Sequence, residues 1–290
     1  MSWLIYALIC AIFTSAAALV QKKTLIKQHA MEFSASLALI NFILSIPLFF
    51  FIDFSNVTLQ ALGLIFVVSF FGSIAFLLIA KSIRHMEISA ASPLLVLGPG
   101  ISALLAFFIL GERLTILQSV GILTLIIGSY ILELKNHHDL FHPLRVVKQS
   151  KYVYFIFLAL LIYGFCAVFD RMLLTKFAVE PLTYIAFVHV FIAFHFLVLM
   201  TFFHDGIKGI KFGIKNAGPW LFVIAILTIS YRLAQMEAVK MAYVGLVLPV
   251  KRMSALFTTV IGGGIYHEHN LLRKVVSCMI MIVGVLMLVL

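Results

Sequence analysis

Residues 92–128 read SPLLVLGPGISALLAFFILGERLTILQSVGILTLIIG, and this stretch decides the fold. Two apolar runs flank the short polar step Gly111-Glu112-Arg113, and each run approaches the roughly 20 residues that cross a bilayer as a helix. A glycine ends a helix easily, because it enters the left-handed backbone region without a Cβ penalty. The stretch therefore predicts a hairpin of two membrane-spanning helices that turns at Gly111.

The composition extends this interpretation to the whole chain. Of the 290 residues, 63% are hydrophobic and only 11% are charged, and the mean hydropathy is +1.16. A soluble domain is nearer half apolar and a quarter charged, so the lipid bilayer must be the solvent. The net charge of +10 does not indicate a nucleic-acid partner, because the basic residues are spread over short connections between apolar segments.

Apolar segments of spanning length recur along the chain and predict an all-α integral membrane protein of ten transmembrane helices. The first segment is followed, not preceded, by Lys22 and Lys23, which favours a spanning helix over a signal peptide. The predicted spans are Trp3–Val20, Met31–Phe51, Leu59–Ala80, Ile88–Leu110, Ile116–Leu134, Tyr152–Leu173, Pro181–Phe203, Trp220–Gln235, Tyr243–Tyr266 and Leu271–Leu290.

A second copy of the opening stretch lies at residues 248–284. Three pairs of identical residues are separated by the same number of positions. They are Pro93 with Pro249, Glu112 with Glu268, and Gly128 with Gly284. We therefore predict two homologous five-helix repeats, residues 1–134 and 152–290, joined by a polar connection at 135–151. Because five is odd, the repeats enter the membrane from opposite sides, an inverted architecture that many secondary transporters use.

The basic residues set the expected orientation. Most of the lysines and arginines outside the apolar runs fall in the odd-numbered connections, such as 21–30 and 204–219. Connections rich in Lys and Arg stay in the cytoplasm. We therefore expect a multi-pass protein of the cell (inner) membrane with both termini on the non-cytoplasmic side.

The opening hairpin carries a family resemblance. The segments 92–95 (SPLL) and 110–115 (LGERLT), followed by Gln118, Gly121 and Gly128, resemble the repeat unit of the drug/metabolite transporter superfamily, EamA type. The resemblance covers the whole chain in helix number. It implies a ten-helix carrier of small organic molecules.

The acid of each hairpin is predicted to cap a helix rather than to carry protons. A carboxylate at the start of the following helix faces the positive end of its dipole, and Glu112 and Glu268 both stand in that place. The second copy departs from the family pattern around its acid, where His267 and His269 are the neighbours.

The clearest candidate for substrate binding is the pair Lys251-Arg252. It lies near the middle of the ninth predicted span, where a charged side chain is costly and marks function by default. No acid is close in sequence, so a substrate phosphate or carboxylate would balance the two charges. The alternative is structural: one cation pairs with Asp170 or Glu237, and the other reaches solvent.

The same segment carries a second resemblance. Pro249 and the run 250–254 (VKRMS) resemble the ninth helix of plastid triose-phosphate translocators and related sugar-phosphate carriers. The resemblance implies that Lys251 and Arg252 hold an anionic substrate. The basic partner that those carriers place on the fourth helix is absent, since residues 94–104 hold no charge, so an anion is better supported than a doubly charged phosphate.

Residues of the seventh and eighth spans complete the predicted site. Tyr231 and Arg232 lie on the side of the eighth span that leads to the ninth, so Arg232 completes the anion site or pairs with Glu237. His189 and His195 flank the centre of the seventh span, and His189 is the candidate for lining the cavity or relaying a proton. Packing is the alternative for either histidine.

Pro93 and Pro249 are candidate hinges. A proline within a helix frees a backbone carbonyl and kinks the helix. Interruptions at corresponding places of two halves are typical of transporter gates and binding sites. A kink that serves packing alone is the alternative.

Several signatures are missing from the sequence. The first span has no acid of the kind that small multidrug exporters use, and no glycine-rich phosphate loop indicates an ATP-driven motor. The polar residues His137, His138, Asp139 and His142 fit no closed metal-ligand set. No nucleophile and base mark an enzyme, so we expect no catalysis, no cofactor and no bound metal.

These residues together predict a secondary transporter of a small organic metabolite, anionic or zwitterionic, that works in the lipid bilayer by alternating access. Two alternatives remain: a flippase for a lipid-linked phosphate sugar, and an exporter of amino acids or drugs.

Overall fold

The chain folds as a bundle of helices. The computed structural model describes residues 2–25, 29–54, 57–85, 94–133, 151–258 and 271–290, and this part of the chain contains helices and no strand. The helices are α1 (Ser2–Leu25), α2 (Ala30–Ser45), α3 (Leu59–His85), α4 (Gly98–Leu110), α5 (Ile116–Glu133), α6 (Lys151–Thr175), α7 (Pro181–Phe203), α8 (Gly206–Ala217), α9 (Trp220–Met241), α10 (Val244–Lys251) and α11 (Leu271–Val289).

Six segments are long and apolar enough to cross a membrane, among the residues described. They are Ser2–Gln21, Ala30–Phe51, Leu59–Ser82, Tyr152–Thr175, Pro181–Phe203 and Trp220–Met241. Shorter apolar segments lie in α4, α5 and α11. The predicted spans 88–110 and 243–266 fall partly outside the described ranges, so the number ten stays a prediction.

The structure departs from the predicted spans at two connections. α2 ends at Ser45, and a 3₁₀ helix (Ile46–Phe51) continues the span, because Pro47 has no amide hydrogen for the α-helical ladder. The seventh connection, for which the sequence analysis predicts no helix, contains the amphipathic helix α8. Its small residues Gly209 and Gly213 are buried, whereas Phe212 is 54% exposed.

The hairpin turns where the sequence predicts. Gly111 adopts φ 69° and donates its N–H to the Phe107 carbonyl at 3.1 Å. α5 then begins with a reciprocal capping box, in which Thr115 and Gln118 each accept the other's backbone N–H at 3.1 Å. The prediction that Glu112 caps this helix is wrong, because the box already occupies its first turn and Glu112 bonds elsewhere.

Helices of the two halves contact each other in a reciprocal pattern. Counted as spans, α5 and α11 are fifth and tenth, and α2 and α7 are second and seventh, so each of these packed pairs joins equivalent helices. The contact of α1 with α9 is matched by that of α3 with α6. Exchanging the halves leaves this set of contacts unchanged, as a twofold relation between repeats requires.

Glycines allow the closest of these contacts, between α5 and α11. A Cβ added at Gly284 would lie 2.9 Å from the Gly121 carbonyl oxygen and 2.8 Å from Leu125 Cγ. A Cβ at Gly128 would lie 2.8 Å from Met281 Cγ. The two backbones therefore touch, as small residues permit in membrane helices.

Two helices are interrupted at matching places. Residue 252 forms a turn between α10 and a helical segment at 253–258, and Arg252 donates its backbone N–H to the Pro249 carbonyl at 3.0 Å. In the first half, residues 96–97 form a turn just before α4, and the Leu97 N–H bonds to the Leu94 carbonyl at 3.2 Å. Discontinuous helices at equivalent positions expose backbone polar groups inside the bundle.

Candidate functional site

Arg252 and the first residues of α4, which follow the other interruption, line one cavity. The cavity has a volume of about 460 Å³ and is lined by α1, α2, α3, α4, α6, α7, α9 and α10 together with residues just after α10. Its wall contains the predicted residues His189, Tyr231, Arg232, Lys251 and Arg252. The structure therefore brings together the side chains that the sequence proposed for binding, although they come from three different segments of the chain.

Lys251 is the last residue of α10 and its ammonium is held by neutral groups. Nζ donates to Gln235 Oε1 at 2.6 Å and lies 5.0 Å from the ring centroid of Tyr231. Over the described ranges, Lys251 has no carboxylate within ion-pair distance. The structural alternative, in which Lys251 pairs with Asp170 or Glu237, is therefore wrong for this residue.

Arg252 connects the two interrupted helices. It occupies the turn after α10, and its guanidinium donates to the backbone carbonyl of Leu95, which lies beside the corresponding turn of the first half. Gly98 lies beside this contact and packs tightly on α6, because a Cβ there would lie 3.2 Å from Leu160 Cδ2. The Leu95 carbonyl, beside the interruption of the first half, thus positions the Arg252 guanidinium at the interruption of the second half.

Arg232 lies on α9, on the same wall. Its electrostatic neighbours include Tyr184, Tyr231, Asp170 and Tyr163. Within the part of the chain that is described, no ion pair joins Arg232 to Glu237, so that alternative is wrong. The guanidinium instead belongs to a group of phenols and one carboxylate on the cavity wall.

Asp170 is the functional candidate that the sequence interpretation missed. It lies on α6, is 7% exposed, and accepts a hydrogen bond from the Tyr184 hydroxyl at 2.6 Å. The next residue, Arg171, pairs with Glu112 instead, because adjacent helical residues point about 100° apart. The predicted span ends at Leu173, whereas α6 runs to Thr175, which places Asp170 more than a turn inside the helix.

His189 and Asn41 bring unpaired polar atoms to the cavity. Both line it, His189 is 1% exposed and Asn41 is 6% exposed. In the described structure, neither ring nitrogen of His189 nor Oδ1 of Asn41 has a hydrogen-bond partner. Buried polar atoms are normally paired, so these two side chains fit an occupant of the cavity. His195 lies outside the lining and contacts Ser69 Oγ through Nδ1 at 3.4 Å.

The charges around the cavity are unequal. Three cations, Arg232, Lys251 and Arg252, and one carboxylate, Asp170, line it among the residues described. An excess of buried positive charge is costly in a low-dielectric interior. The cavity therefore favours an occupant that brings negative charge.

A second polar cluster, which we call the inter-half latch, consists of Glu112, Arg171, Val244 and Gly245. Glu112 Oε1 lies 3.2 Å from Arg171 Nε, and the Glu112 carboxylate accepts the Val244 and Gly245 N–H groups at 3.0 and 3.3 Å. Glu112 is 4% exposed. Glu112 therefore caps α10, a helix of the other half, rather than α5.

Arg171 completes the inter-half latch from the second half. Its guanidinium donates to the backbone carbonyls of Val239 and Ala242, at the end of α9, and lies 5.5 Å from the ring centroid of Tyr243. The latch thus holds the α4–α5 hairpin against the α9–α10 connection. Glu268, the counterpart of Glu112, and Pro93, the counterpart of Pro249, lie outside the described residues.

The comparisons with known proteins agree with this architecture. The model of the EamA-like transporter family matches residues 1–134 and 150–290. No curated protein matches the chain. Among 29 matching chains of solved structures, a crystal structure of a protein superposes with a TM-score of 0.71 at 15% identity, over 100% of this chain and 99% of that one. The chain belongs to the EamA-like transporter family and is a multi-pass membrane transporter of small molecules.

Proposed function

We propose that the protein carries a small anionic or zwitterionic metabolite, which binds in the cavity between the two halves. The observation that carries this proposal is the excess of cations on the wall, where Lys251 has only Gln235 and Tyr231 as close partners in the described structure. A substrate phosphate or carboxylate would form charge-assisted hydrogen bonds with these donors. A cavity of about 460 Å³ suits a metabolite-sized ligand.

Asp170 favours a zwitterion within that class. Its carboxylate stands on the same wall as the cations and is bonded to the Tyr184 hydroxyl. A ligand with a carboxylate and an ammonium group would place its negative end at Lys251 and Arg252 and its positive end at Asp170. This arrangement supports amino-acid export as the second candidate function.

The proposed transport cycle is alternating access. The inter-half latch joins the hairpin at Glu112 to the α9–α10 connection, whereas the cavity lining extends away from it to Gln21 and Ser34. In the orientation that the basic residues favour, the latch closes the outer face and the cavity extends towards the cytoplasm. Pro249, beside the interruption at Arg252, would serve as a hinge, with Pro93 as its counterpart.

A flippase for a lipid-linked phosphate sugar would use the same cations. Its head group would bind Lys251 and Arg252, while its chain would lie among the lipids. Competition by a polyprenyl phosphate, without competition by soluble phosphates or carboxylates, would favour this function over a metabolite carrier.

Ligand-dependent thermal stability tests the proposal. The detergent-purified protein is heated with phosphorylated sugars, carboxylates, amino acids and organic cations, alongside Lys251→Ala/Arg252→Ala and the control Lys240→Ala, whose side chain is exposed on α9. A ligand at about 100 times its dissociation constant stabilises the folded state by about 2.7 kcal/mol. We expect an anion or a zwitterion to stabilise the wild type and Lys240→Ala but not the double variant. Equal stabilisation of all three would refute the proposed site.

A further inference from the structure

A carboxylate outside the cavity has no partner among the residues that the structure describes. Glu32 lies in the first turn of α2 and is 9% exposed. Across the described ranges, its side chain makes no hydrogen bond and no ion pair. Its carboxylate is therefore available to an additional ligand at the edge of the bundle.

Two further ligand-type side chains converge on Glu32 from the second half. His204 follows α7 and Asp205 precedes α8, and one ligand atom from each of the three residues lies within 4.8 Å of the others. His204 Nδ1 lies 3.4 Å from Asp205 Oδ2. Their side chains are 20% and 74% exposed, respectively, so the cluster is open to ions on one side and closed by Glu32 on the other.

Close packing of α8 on α2 creates this cluster. A Cβ added at Gly213 would lie 2.3 Å from Ser36 Oγ and 2.8 Å from the Glu32 carbonyl oxygen. A Cβ at Gly209 would lie 3.6 Å from Asp205 Cβ and 3.7 Å from Glu32 Cγ. Gly213 allows α8 to pack closely against the first turns of α2, and Asp205, which precedes α8, then lies beside Glu32.

We propose that Glu32, His204 and Asp205 form a binding site for a divalent transition-metal ion of the Zn²⁺ type. Two carboxylates and one imidazole form a donor set that such ions accept, with three protein ligands and an open position for water. The ion balances the buried charge of Glu32 and the second charge of Asp205. The lone pair of His204 Nδ1 accepts the Asp205 N–H at 2.8 Å, so metal binding through this atom would replace that hydrogen bond.

His29 supports the orientation of His204. The two imidazole rings pack with their centroids 4.7 Å apart, and His29 itself is fixed at the start of α2 by the Met31 N–H, which donates to its Nδ1 at 3.3 Å. The bound ion would join α2 of the first half to α7 and α8 of the second half.

Cobalt binding tests the site. The tag-free full-length protein in detergent is titrated with Co²⁺, whose visible absorption reports nitrogen and oxygen ligands, and the bound metal is counted after equilibrium dialysis. The background carries His137→Ala, His138→Ala and His142→Ala, because these histidines could bind Co²⁺ by themselves. The variants are His204→Ala and Asp205→Asn, both at accessible positions, and the control is His85→Ala at the exposed end of α3.

We expect the background protein and His85→Ala to bind one Co²⁺ per chain, displaced by Zn²⁺, and to unfold at a higher temperature when Zn²⁺ is present. His204→Ala and Asp205→Asn should each weaken binding about tenfold or more and reduce the thermal shift. Unchanged Co²⁺ affinity in both variants, or no saturable binding by the background protein, would overturn the proposal.

Discussion

At the scale of single residues, the charged side chains of the spans could be predicted and their partners could not. Lys251, Arg252 and Arg232 attract attention in the sequence because ionisable groups inside a membrane are rare, and all three line the cavity. Their contacts with Gln235, Leu95 and a group around Asp170 depend on how distant helices pack. A short stretch of sequence does not show which distant helices pack together.

Asp170 should distinguish a zwitterionic substrate from a simple anion. Asp170→Asn keeps an oxygen that can accept the Tyr184 hydroxyl but removes the charge that would hold an ammonium group. A hydrogen bond to a charged group contributes about 1.5–3 kcal/mol, so amino-acid ligands should lose roughly tenfold or more in affinity, as measured from ligand-dependent thermal midpoints. Simple anions should bind at least as well as before. Loss of both ligand classes would indicate that the carboxylate holds the site together instead.

His189 should behave as a ligand contact rather than as a packing residue. Because its ring nitrogens are unpaired in the described structure, His189→Leu should raise the stability of the ligand-free protein by about 1–3 kcal/mol. The same change should weaken binding of the substrate. His195→Leu, outside the cavity lining, serves as the comparison, since it removes a contact with Ser69 together with one unpaired nitrogen. A lower thermal midpoint for ligand-free His189→Leu would contradict this assignment.

At the scale of helices, the sequence predicts turns better than it predicts long-range caps. The turn at Gly111 could be read from the glycine itself, whereas the role of Glu112 could not, because the amides that it binds belong to α10. α8 was not predicted for a similar reason. Its glycines are typical of loops in the sequence alone, and their role in packing against α2 is visible only in the structure. The helix interruptions at 96–97 and 252 lie near the prolines that predicted them.

The inter-half latch should contribute strongly to stability. Glu112→Ala removes both the cap of α10 and the acid beside Arg171, whose side chain is only 15% exposed. Breaking a buried ion pair costs about 3–5 kcal/mol, so the thermal midpoint of the purified protein should fall sharply. Arg113→Ala, at the exposed neighbouring position, should have little effect. Similar midpoints for the two variants would show that the latch does not hold the halves together.

Alanine should raise the stability of the protein at a glycine with open space around it and lower it at a glycine in a close helix contact. Gly63→Ala on α3 places a methyl group in open space, and should raise stability by about 0.5–1 kcal/mol because alanine favours a helix. Gly284→Ala drives Cβ towards the Gly121 carbonyl oxygen and should lower stability by about 1–3 kcal/mol. Thermal midpoints of the two variants, measured in the same detergent, check the contact of α5 with α11. A rise in both would contradict the close backbone contact.

At the scale of the whole molecule, the repeated hairpin allowed the architecture to be anticipated. Two copies of one unit with matching proline, acid and glycine predict halves that are related by symmetry, and the reciprocal contacts between α1 and α9 and between α3 and α6 fit that relation. The inter-half latch and the proposed metal site at Glu32, His204 and Asp205 both join one half to the other. Neither could be predicted, because each combines residues that are far apart in the sequence.

The most direct test of the central claim is substrate exchange in proteoliposomes. Vesicles loaded with the ligand that stabilises the protein best are diluted into a trace of the same labelled compound, and its accumulation is followed for the wild type, Lys251→Ala/Arg252→Ala and Lys240→Ala. The account predicts accumulation with the wild type and Lys240→Ala and its loss in the double variant. Accumulation that persists in the folded double variant would contradict the claim that these cations bind the substrate.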